Sequence, residues 1–224
     1  MRPSLLHHTR FFITASSLTQ LDSVGLPDGN WQAGTLPEIA FVGRSNAGKS
    51  TAINLLCNQK RLAFSSKTPG RTQHLNFFTV SDRERRYGYL VDLPGYGYAA
   101  ADKATRATWD QLLGQYLRQR RALRGVVLLM DARRPLTDLD LQLLDWLEPT
   151  GCPVHVLLTK ADKLNRSDIA QALRQVSDAL AGSPHSVQLF SALKRMGVEQ
   201  ADDKLLEWLG VNTKKNPGET VTGV

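Results

Sequence analysis

Cysteine is scarce in this sequence, and long apolar runs are missing. The 224 residues include only two cysteines, Cys57 and Cys152, which form neither a metal-ligand spacing nor a disulfide framework. No stretch approaches the roughly 20 consecutive apolar residues that a membrane-spanning helix needs. The apolar run at residues 11–14 is short and is followed by polar residues, unlike the core of a secretory signal. We therefore expect neither a disulfide-stabilised secreted domain nor a membrane span.

Acidic residues are fewer than basic ones, so the formal net charge is +7 and the isoelectric point is about 9.6. This charge favours contact with a polyanion such as nucleic acid, although a solvated basic surface is the alternative. No aromatic RNA-binding signature accompanies the basic residues, so we expect no sequence-specific reading of RNA. Some of the arginines at 118–124 lie near the C-terminal end of a predicted helix, where positive charge complements the helix dipole. The three clusters are Arg83, Arg85 and Arg86; Arg118, Arg120, Arg121 and Arg124; and Lys194 with Arg195.

Residues 43–50 read G-R-S-N-A-G-K-S, between an apolar run at 39–42 and a helix-like stretch at 51–57. A glycine-rich turn between strand and helix directs several backbone N–H groups and the helix dipole at one point. Lys49 can reach the β- and γ-phosphates of a nucleotide there, and the Ser50 hydroxyl can ligate Mg²⁺. The segment is predicted to be a phosphate-binding P-loop, and a coincidental match is the alternative. Access to nucleotide and unpaired cysteines together indicate the cytoplasm.

Strand-like and helix-like stretches alternate along the rest of the chain. Two β-like runs around the charged turn at residues 81–86 predict a hairpin. The pattern predicts an α/β domain of three layers, with a six-stranded, mostly parallel sheet, one antiparallel hairpin strand and helices on both faces. We divide the chain into an N-terminal extension (1–35) that packs on the domain, the domain itself (36–210) and a disordered tail (211–224). The predicted strands are 39–42, 75–80, 87–91, 126–130, 154–158 and 187–190, and the later helices are 102–123, 139–147, 168–180 and 201–209.

Ligands of such sheets bind in the loops that follow the carboxyl ends of the strands. Asp92-Leu93-Pro94-Gly95 follows the third strand, where Asp92 can hold Mg²⁺ through a water and the Gly95 N–H can bond a γ-phosphate. Asp162, in the Thr159–Asp162 loop after the fifth strand, can accept hydrogen bonds from N1–H and N2–H of guanine. Adenine cannot offer that pair, so the motif favours GTP over ATP.

Neighbouring residues of the same loops complete the expected guanine site. The aliphatic stem of Lys160 can pack over the ring, and the backbone near Ser191 and Ala192, after the sixth strand, is available to guanine O6. Thr159 stands where asparagine is more usual, so we expect a weaker connection between this loop and the P-loop.

A threonine between the first helix and the second strand is expected to complete the Mg²⁺ coordination and sense the γ-phosphate. The segment 65–74 offers two, Thr68 and Thr72. Gly70 gives Thr72 the freer backbone, and Thr72 lies just before the strand, so we favour Thr72. A plain flexible turn remains the alternative.

The motifs G-R-S-N-A-G-K-S, T-P-G-R-T-Q, D-L-P-G-Y-G-Y-A, T-K-A-D-K-L and F-S-A-L-K resemble, in order and spacing, those of the EngB family of bacterial GTPases, also called YihA or YsxC. The resemblance covers roughly residues 11–209, with Ala47 where that family more often has valine. It implies a P-loop GTPase fold, with Mg²⁺ on Ser50 and Thr72. The GTP-binding residues that it implies are Gly43, Arg44, Ser45, Asn46, Ala47, Gly48, Lys49, Ser50, Gly70, Arg71, Thr72, Gln73, His74, Asp92, Leu93, Pro94, Gly95, Thr159, Lys160, Ala161, Asp162, Phe190, Ser191 and Ala192.

The resemblance also implies a role in assembly of the large ribosomal subunit and in normal division and septation. The expected partners are GTP, GDP and the large subunit, and the expected assembly state is a monomer. A non-hydrolysing GTP-dependent scaffold and a GTPase of transfer-RNA modification are the alternatives, although the latter usually carries extra domains. A P-loop kinase has no use for the T-K-A-D motif.

The catalytic residues expected are Lys49, Asn46, Thr72 and Gly95. Many small GTPases carry a water-orienting glutamine directly after D-x-x-G, but this chain has Tyr96, so intrinsic hydrolysis should be slow, on the order of that of Ras or below. Asn46 resembles the asparagine of potassium-dependent GTPases, where it helps to hold K⁺ beside the phosphates. Mg²⁺ is therefore the expected cofactor with K⁺ as a second candidate, and a purely loop-stabilising Asn46 is the alternative.

Overall fold

The computed structural model describes residues 3–23, 36–64, 74–96 and 112–211. Within them lie seven strands: β1 (Arg10–Ala15), β2 (Glu38–Gly43), β3 (Leu75–Ser81), β4 (Arg86–Asp92), β5 (Leu123–Asp131), β6 (Val154–Thr159) and β7 (Ser186–Leu189). The helices are α1 (Leu18–Ser23), α2 (Lys49–Leu56), α3 (described over 112–119), α4 (Asp138–Leu147), α5 (Arg166–Ala179) and α6 (Val198–Trp208).

All seven strands form one sheet in the order β1-β3-β4-β2-β5-β6-β7. Strands β4, β2, β5, β6 and β7 pair in parallel, while β3 is antiparallel to both β4 and β1. Parallel strands end at the same edge, so the loops after β2, β4, β5, β6 and β7 meet there. This edge carries the candidate site.

Successive residues of the central strands point to opposite faces, and each face has its own core. Ala40 and Val42 of β2 pack with apolar residues of α3, α4 and α5, whereas Ile39 and Phe41 pack with those of α2 and α6. Every residue of β2 is buried, which is expected of a parallel strand covered on both faces. The three-layer α/β prediction is therefore confirmed.

The predicted count of six strands is wrong by one. Strand β1 pairs at the sheet edge with β3, from Arg10 opposite Thr79 to Ala15 opposite Leu75. Half of its residues are exposed, so its sequence gives no clear strand pattern. The helix predicted for 102–123 ends at residue 119 and Leu123 already belongs to β5; its first part, 102–111, lies outside the described residues.

The predicted tail, 211–224, lies outside the described residues apart from Val211. None of the helices in the described part of the chain is long and apolar enough to cross a bilayer.

Candidate functional site

The P-loop connects the end of β2 to the start of α2. Asn46 and Gly48 have φ angles of 66° and 96°, and the Ala47 N–H donates to the Arg44 carbonyl at 2.9 Å. Asparagine and glycine are the residues that tolerate such left-handed conformations best. A side chain at Gly43 would place its Cβ 2.8 Å from the Leu129 carbonyl oxygen of β5. The glycines and Asn46 therefore allow the tight turn that leads into the N-terminus of α2.

Lys49 and Ser50 occupy the first two positions of α2 and lie next to the end of β4. The Lys49 ammonium contacts a carboxylate oxygen of Asp92, whose side chain is 4% exposed. Ser50 is also buried, at 8% exposure. The hydroxyl and the carboxylate are hard oxygen donors of the kind that Mg²⁺ prefers. Within the described residues, no group of three or more histidine, cysteine, aspartate or glutamate side chains could hold a metal by itself.

The loop after Asp92 runs beside the P-loop and is hydrogen-bonded to it. The Tyr96 N–H donates to the Gly43 carbonyl at 3.2 Å, and the Ser45 N–H donates to the Tyr96 carbonyl at 2.9 Å. A Cβ on Gly95 would lie 3.4 Å from Gly43 O and from Ser45 N, so the two loops approach closely at this glycine. The two loops are thus joined by two backbone hydrogen bonds and by close packing at Gly95.

The Tyr96 side chain is buried, and its hydroxyl donates to Oδ1 of Asp140 in α4 at 2.5 Å. The other carboxylate oxygen, Oδ2, accepts from the backbone N–H and the hydroxyl of Thr137. Burial, and then the neighbouring Asp140, raise the pKa of Tyr96 far above its ordinary value. The engagement of its hydroxyl by α4 agrees with the expectation that Tyr96 does not take the place of a water-orienting glutamine.

Thr159, at the end of β6, is connected to the P-loop. Its hydroxyl lies 2.7 Å from the Ala47 carbonyl oxygen and 3.1 Å from that of Met130. A hydroxyl has one proton, and the shorter distance assigns it to Ala47. The connection that we expected the threonine to weaken is therefore present.

Lys160 adopts a φ of 59° and extends back towards the P-loop. Its ammonium donates to the Asn46 carbonyl at 2.8 Å and to Oδ2 of Asp131 at 2.9 Å. Both partners are oxygens at the carboxyl edge of the sheet, and they fix the position of the Lys160 ammonium. The aliphatic part of the side chain remains available to pack against the ring of a base.

Asp162 is held by the loop after β7. The Ser191 hydroxyl donates to its Oδ1 at 2.5 Å, and the Ala161 N–H donates to the Phe190 carbonyl at 3.3 Å. The Ser191 hydrogen bond is the main reason that the pKa of Asp162 lies below its usual value. The carboxylate is therefore ionised and still has acceptor positions for a ligand.

Asp131 is a member of this network that the sequence reasoning missed. It ends β5, and Arg133 binds both carboxylate oxygens, at 2.9 and 2.7 Å. The Arg133 hydrogen bond lowers the pKa of Asp131 despite an opposing effect of burial, and Lys160 adds to the lowering. The rule that strand ends carry ligand-binding loops would have found it, had it been applied to the strand at 126–130.

The structure brings together residues 43–50, 92–95, 159–162 and 190–192 at one edge of the sheet. The residues predicted from the segment before β3 cannot be added to this set. Residues 70–73, which include Thr72, lie outside the described residues, as does the alternative Thr68. His74 is described and exposed, directly before β3.

Comparisons with known proteins agree with this arrangement. Residues 38–160 match the model of the family described as 50S ribosome-binding GTPase. The probable GTP-binding protein EngB of Ralstonia pickettii (strain 12J) is 54% identical over 216 residues, which are 92% of this chain and 88% of the relative. The protein of the same name from Paraburkholderia phytofirmans (strain DSM 17436 / LMG 22146 / PsJN) is 51% identical over 223 residues, 96% of this chain and 97% of the relative.

Solved structures agree in fold. A crystal structure of a probable GTP-binding protein engB has a TM-score of 0.61 at 19% identity, covering 77% of this chain and 98% of that one. The apo translation elongation factor SelB from Methanococcus maripaludis has a TM-score of 0.57 at 16% identity, covering 80% of this chain and 34% of that one. The sequence matches to EngB proteins extend over most of the chain, and the chain therefore belongs to the EngB family of P-loop GTPases.

Proposed function

We propose that this GTPase is a nucleotide-controlled switch in assembly of the large ribosomal subunit, and that normal cell division and septation depend on it. The match of residues 38–160 to the 50S ribosome-binding GTPase family carries the proposal. A formal net charge of +7 supports an RNA-rich partner, because basic surfaces are attracted to polyanions. The same proposal has a monomer acting in the cytoplasm, with residues 36–210 as the GTPase domain.

Guanine selection is assigned to Asp162. Its ionised carboxylate is fixed by Ser191 and can accept both N1–H and N2–H of guanine. Asp162→Asn replaces one acceptor with a donor, so GTP affinity should fall by about 100-fold, and discrimination against ATP should shrink with it. Competition binding with GTP, ATP and xanthosine triphosphate measures this. Unchanged GTP/ATP discrimination in the variant would falsify the base assignment.

Phosphate binding is assigned to residues 43–50, with Lys49 on the β- and γ-phosphates. The Ser50 hydroxyl and Thr72 would hold Mg²⁺ directly and the Asp92 carboxylate would hold it through a water; the ion would neutralise charge on the phosphates when bound. In the structure Asp92 contacts the Lys49 ammonium, so Lys49 would exchange this carboxylate for the phosphates when GTP and Mg²⁺ bind. Residues 70–74 complete the proposed set of GTP contacts.

Switching is assigned to the Asp92–Tyr96 loop and to Thr72. The loop is hydrogen-bonded to Gly43 and Ser45 of the P-loop. A hydrogen bond from the Gly95 N–H to the γ-phosphate would therefore add one more contact between this loop and the phosphate site. Loss of the γ-phosphate would release these contacts and change the surface that a partner recognises.

Intrinsic hydrolysis is expected to be slow because the side chain of Tyr96 is bound to Asp140. We propose that K⁺, held with the help of the Asn46 side chain, or docking on the subunit accelerates it. GTP turnover measured in KCl and in NaCl, with and without large subunits, should be highest in KCl with subunits. Asn46→Ala should remove the response to K⁺, whereas equal slow rates of the wild type in all four conditions would contradict the proposal.

Sedimentation with purified large ribosomal subunits tests the switch as a whole. The chain should sediment with the subunits in the presence of a non-hydrolysable GTP analogue and much less with GDP. Lys49→Ala, which should lose tight nucleotide binding, should not respond to either nucleotide. Binding only to transfer RNA would favour the transfer-RNA modification class, and nucleotide-dependent binding without any GTP turnover would favour a scaffold.

A further inference from the structure

A cavity of about 500 Å³ opens beside the P-loop, at the carboxyl ends of β2 and β5. Residues 44–47 form one wall, and Asp131, Arg133, Arg134 and Lys160 are among the residues that form the rest. Lys49, Ser50 and Asp162 do not line it. The cavity therefore shares residues 44–47 and Lys160 with the proposed nucleotide site and extends beyond it along Asp131, Arg133 and Arg134, which are not among the proposed nucleotide-binding residues.

The cavity is strongly cationic. Arg44, Arg133, Arg134 and Lys160 face one carboxylate, Asp131. Arg133 and Lys160 both bind that carboxylate, which leaves the charges of Arg44 and Arg134 uncompensated. Among the described residues, neither of these two arginines has a carboxylate within salt-bridge distance, and both are exposed.

Arginine side chains suit an anion with several oxygens. The planar guanidinium offers five N–H donors in a fork that matches phosphate oxygens in pairs. Arg133 is 51% exposed even while it binds Asp131, so part of its fork also faces solvent. The forks of Arg44 and Arg134, with the outer part of the Arg133 guanidinium, surround one concave surface that suits phosphate groups, and the net charge of +7 favours a large polyanion such as nucleic acid.

We propose that this arginine cavity, formed by Arg44, Arg133 and Arg134, binds backbone phosphates of ribosomal RNA and is a docking surface of the chain on the large subunit. The inference rests on the proposed function, since it names the surface through which that partner is bound. Phosphate contacts of this kind position a protein without reading sequence, which agrees with the lack of an RNA-recognition motif.

The test uses the full chain and purified large ribosomal subunits, with a non-hydrolysable GTP analogue bound. Arg134→Glu should weaken subunit binding by about tenfold or more, and Arg134→Gln by less. Each lost phosphate contact should also lower the salt dependence of binding, by a slope of about one. Arg174→Gln removes an exposed arginine from α5, outside the cavity, and should bind like the wild type.

Two further measurements keep the interpretation specific. Affinity of each free variant for GDP should stay within about twofold of the wild type, because Arg134 is not among the proposed nucleotide-binding residues. Binding to large-subunit ribosomal RNA freed of protein should show the same order of affinities as binding to intact subunits.

The outcomes separate this inference from the proposed function. If the wild type fails to bind large subunits with either nucleotide, the proposed function is wrong. If the wild type binds and Arg134→Glu binds equally well, the docking surface is wrong while the function stands. A loss seen with intact subunits but not with protein-free RNA would assign the cavity to an acidic ribosomal protein and overturn the RNA assignment.

Discussion

Tyr96 shows how one side chain can be removed from the chemistry of a site and still connect it to the rest of the fold. Its backbone pairs with Gly43 and Ser45, whereas its hydroxyl ends on Asp140 in α4. Asp140 is 1% exposed and also accepts two hydrogen bonds from Thr137, the residue before α4. The same carboxylate therefore caps the N-terminus of α4 and binds Tyr96. The loop that follows Asp92 is thus connected to the P-loop by its backbone and to α4 by a side chain.

Tyr96→Phe should therefore reduce stability and leave catalysis intact. The variant removes one donor from a buried carboxylate, which should lower the free energy of unfolding by about 2 kcal/mol. Urea denaturation measures this. Tyr87→Phe is the matched control, because the Tyr87 hydroxyl donates to the exposed Asp82, and its loss should cost less than about 0.5 kcal/mol. A tenfold loss of turnover at unchanged stability would instead place the Tyr96 hydroxyl in the reaction.

At the scale of elements, a buried ion pair fixes α3 and the turn after it to β2. Glu38, at the start of β2, is bound through both carboxylate oxygens by Arg120, and the Tyr116 hydroxyl of α3 donates to the same carboxylate at 2.8 Å. The Glu38 side chain is 1% exposed and that of Arg120 is 8% exposed. Arg120 thus belongs to the core, although its sequence places it in a basic cluster.

Arg120→Met should destabilise the protein by about 3 kcal/mol, because it leaves Glu38 buried without its cation. Arg121→Met removes an exposed arginine one residue later and should change stability by less than about 0.5 kcal/mol. Thermal or urea denaturation of both variants measures the difference. The Glu38→Gln/Arg120→Met double variant should recover part of the loss. Equal stabilities of the two single variants would mean that the pair contributes nothing.

The elements that the sequence predicts well are those whose pattern is local. Strands such as β6, buried along their whole length, are recognised as short, nearly continuous apolar runs, and the helices that follow them have a periodic apolar pattern. Strand β1 has none, because its partner β3 lies far away in sequence and half of β1 is exposed. The boundary between α3 and β5 was misplaced because Leu123 continues the helical spacing of apolar residues.

The order of the motifs along the chain was enough to locate the P-loop and Asp162. The direction of the Tyr96 side chain could not be predicted in this way, because it depends on Asp140, 44 residues away.

On the scale of the whole molecule, histidines that are neutral in the fold link stability to pH. The pKa values of His7, His155 and His185 are all lowered, with burial as the main cause. His155 is 2% exposed between Ser186 and Gln188. Gln188 donates its amide to the Gly197 carbonyl, so its oxygen faces His155 Nε2 and accepts from it. That arrangement requires Nε2–H, and burial, which lowers the pKa of His155, favours the neutral ring, in which Nδ1 accepts from the Ser186 hydroxyl.

Stability should therefore fall as the pH drops below about 6.5, the ordinary pKa of histidine. In that range the unfolded chain binds protons that the fold excludes, and the fold loses up to about 1.4 kcal/mol per pH unit for the buried His155 until its lowered pKa is reached, and less for the more exposed His7 and His185. Carboxylates with lowered pKa values, such as Asp131, add to the loss only in more acidic solution. Urea midpoints between pH 7.5 and 5.5 measure the effect.

His155→Gln should flatten this dependence of stability on pH, whatever the absolute stability of the variant. His74→Gln, at an exposed position, should keep the dependence of the wild type. Parallel curves of stability against pH for the two variants would contradict the role of His155.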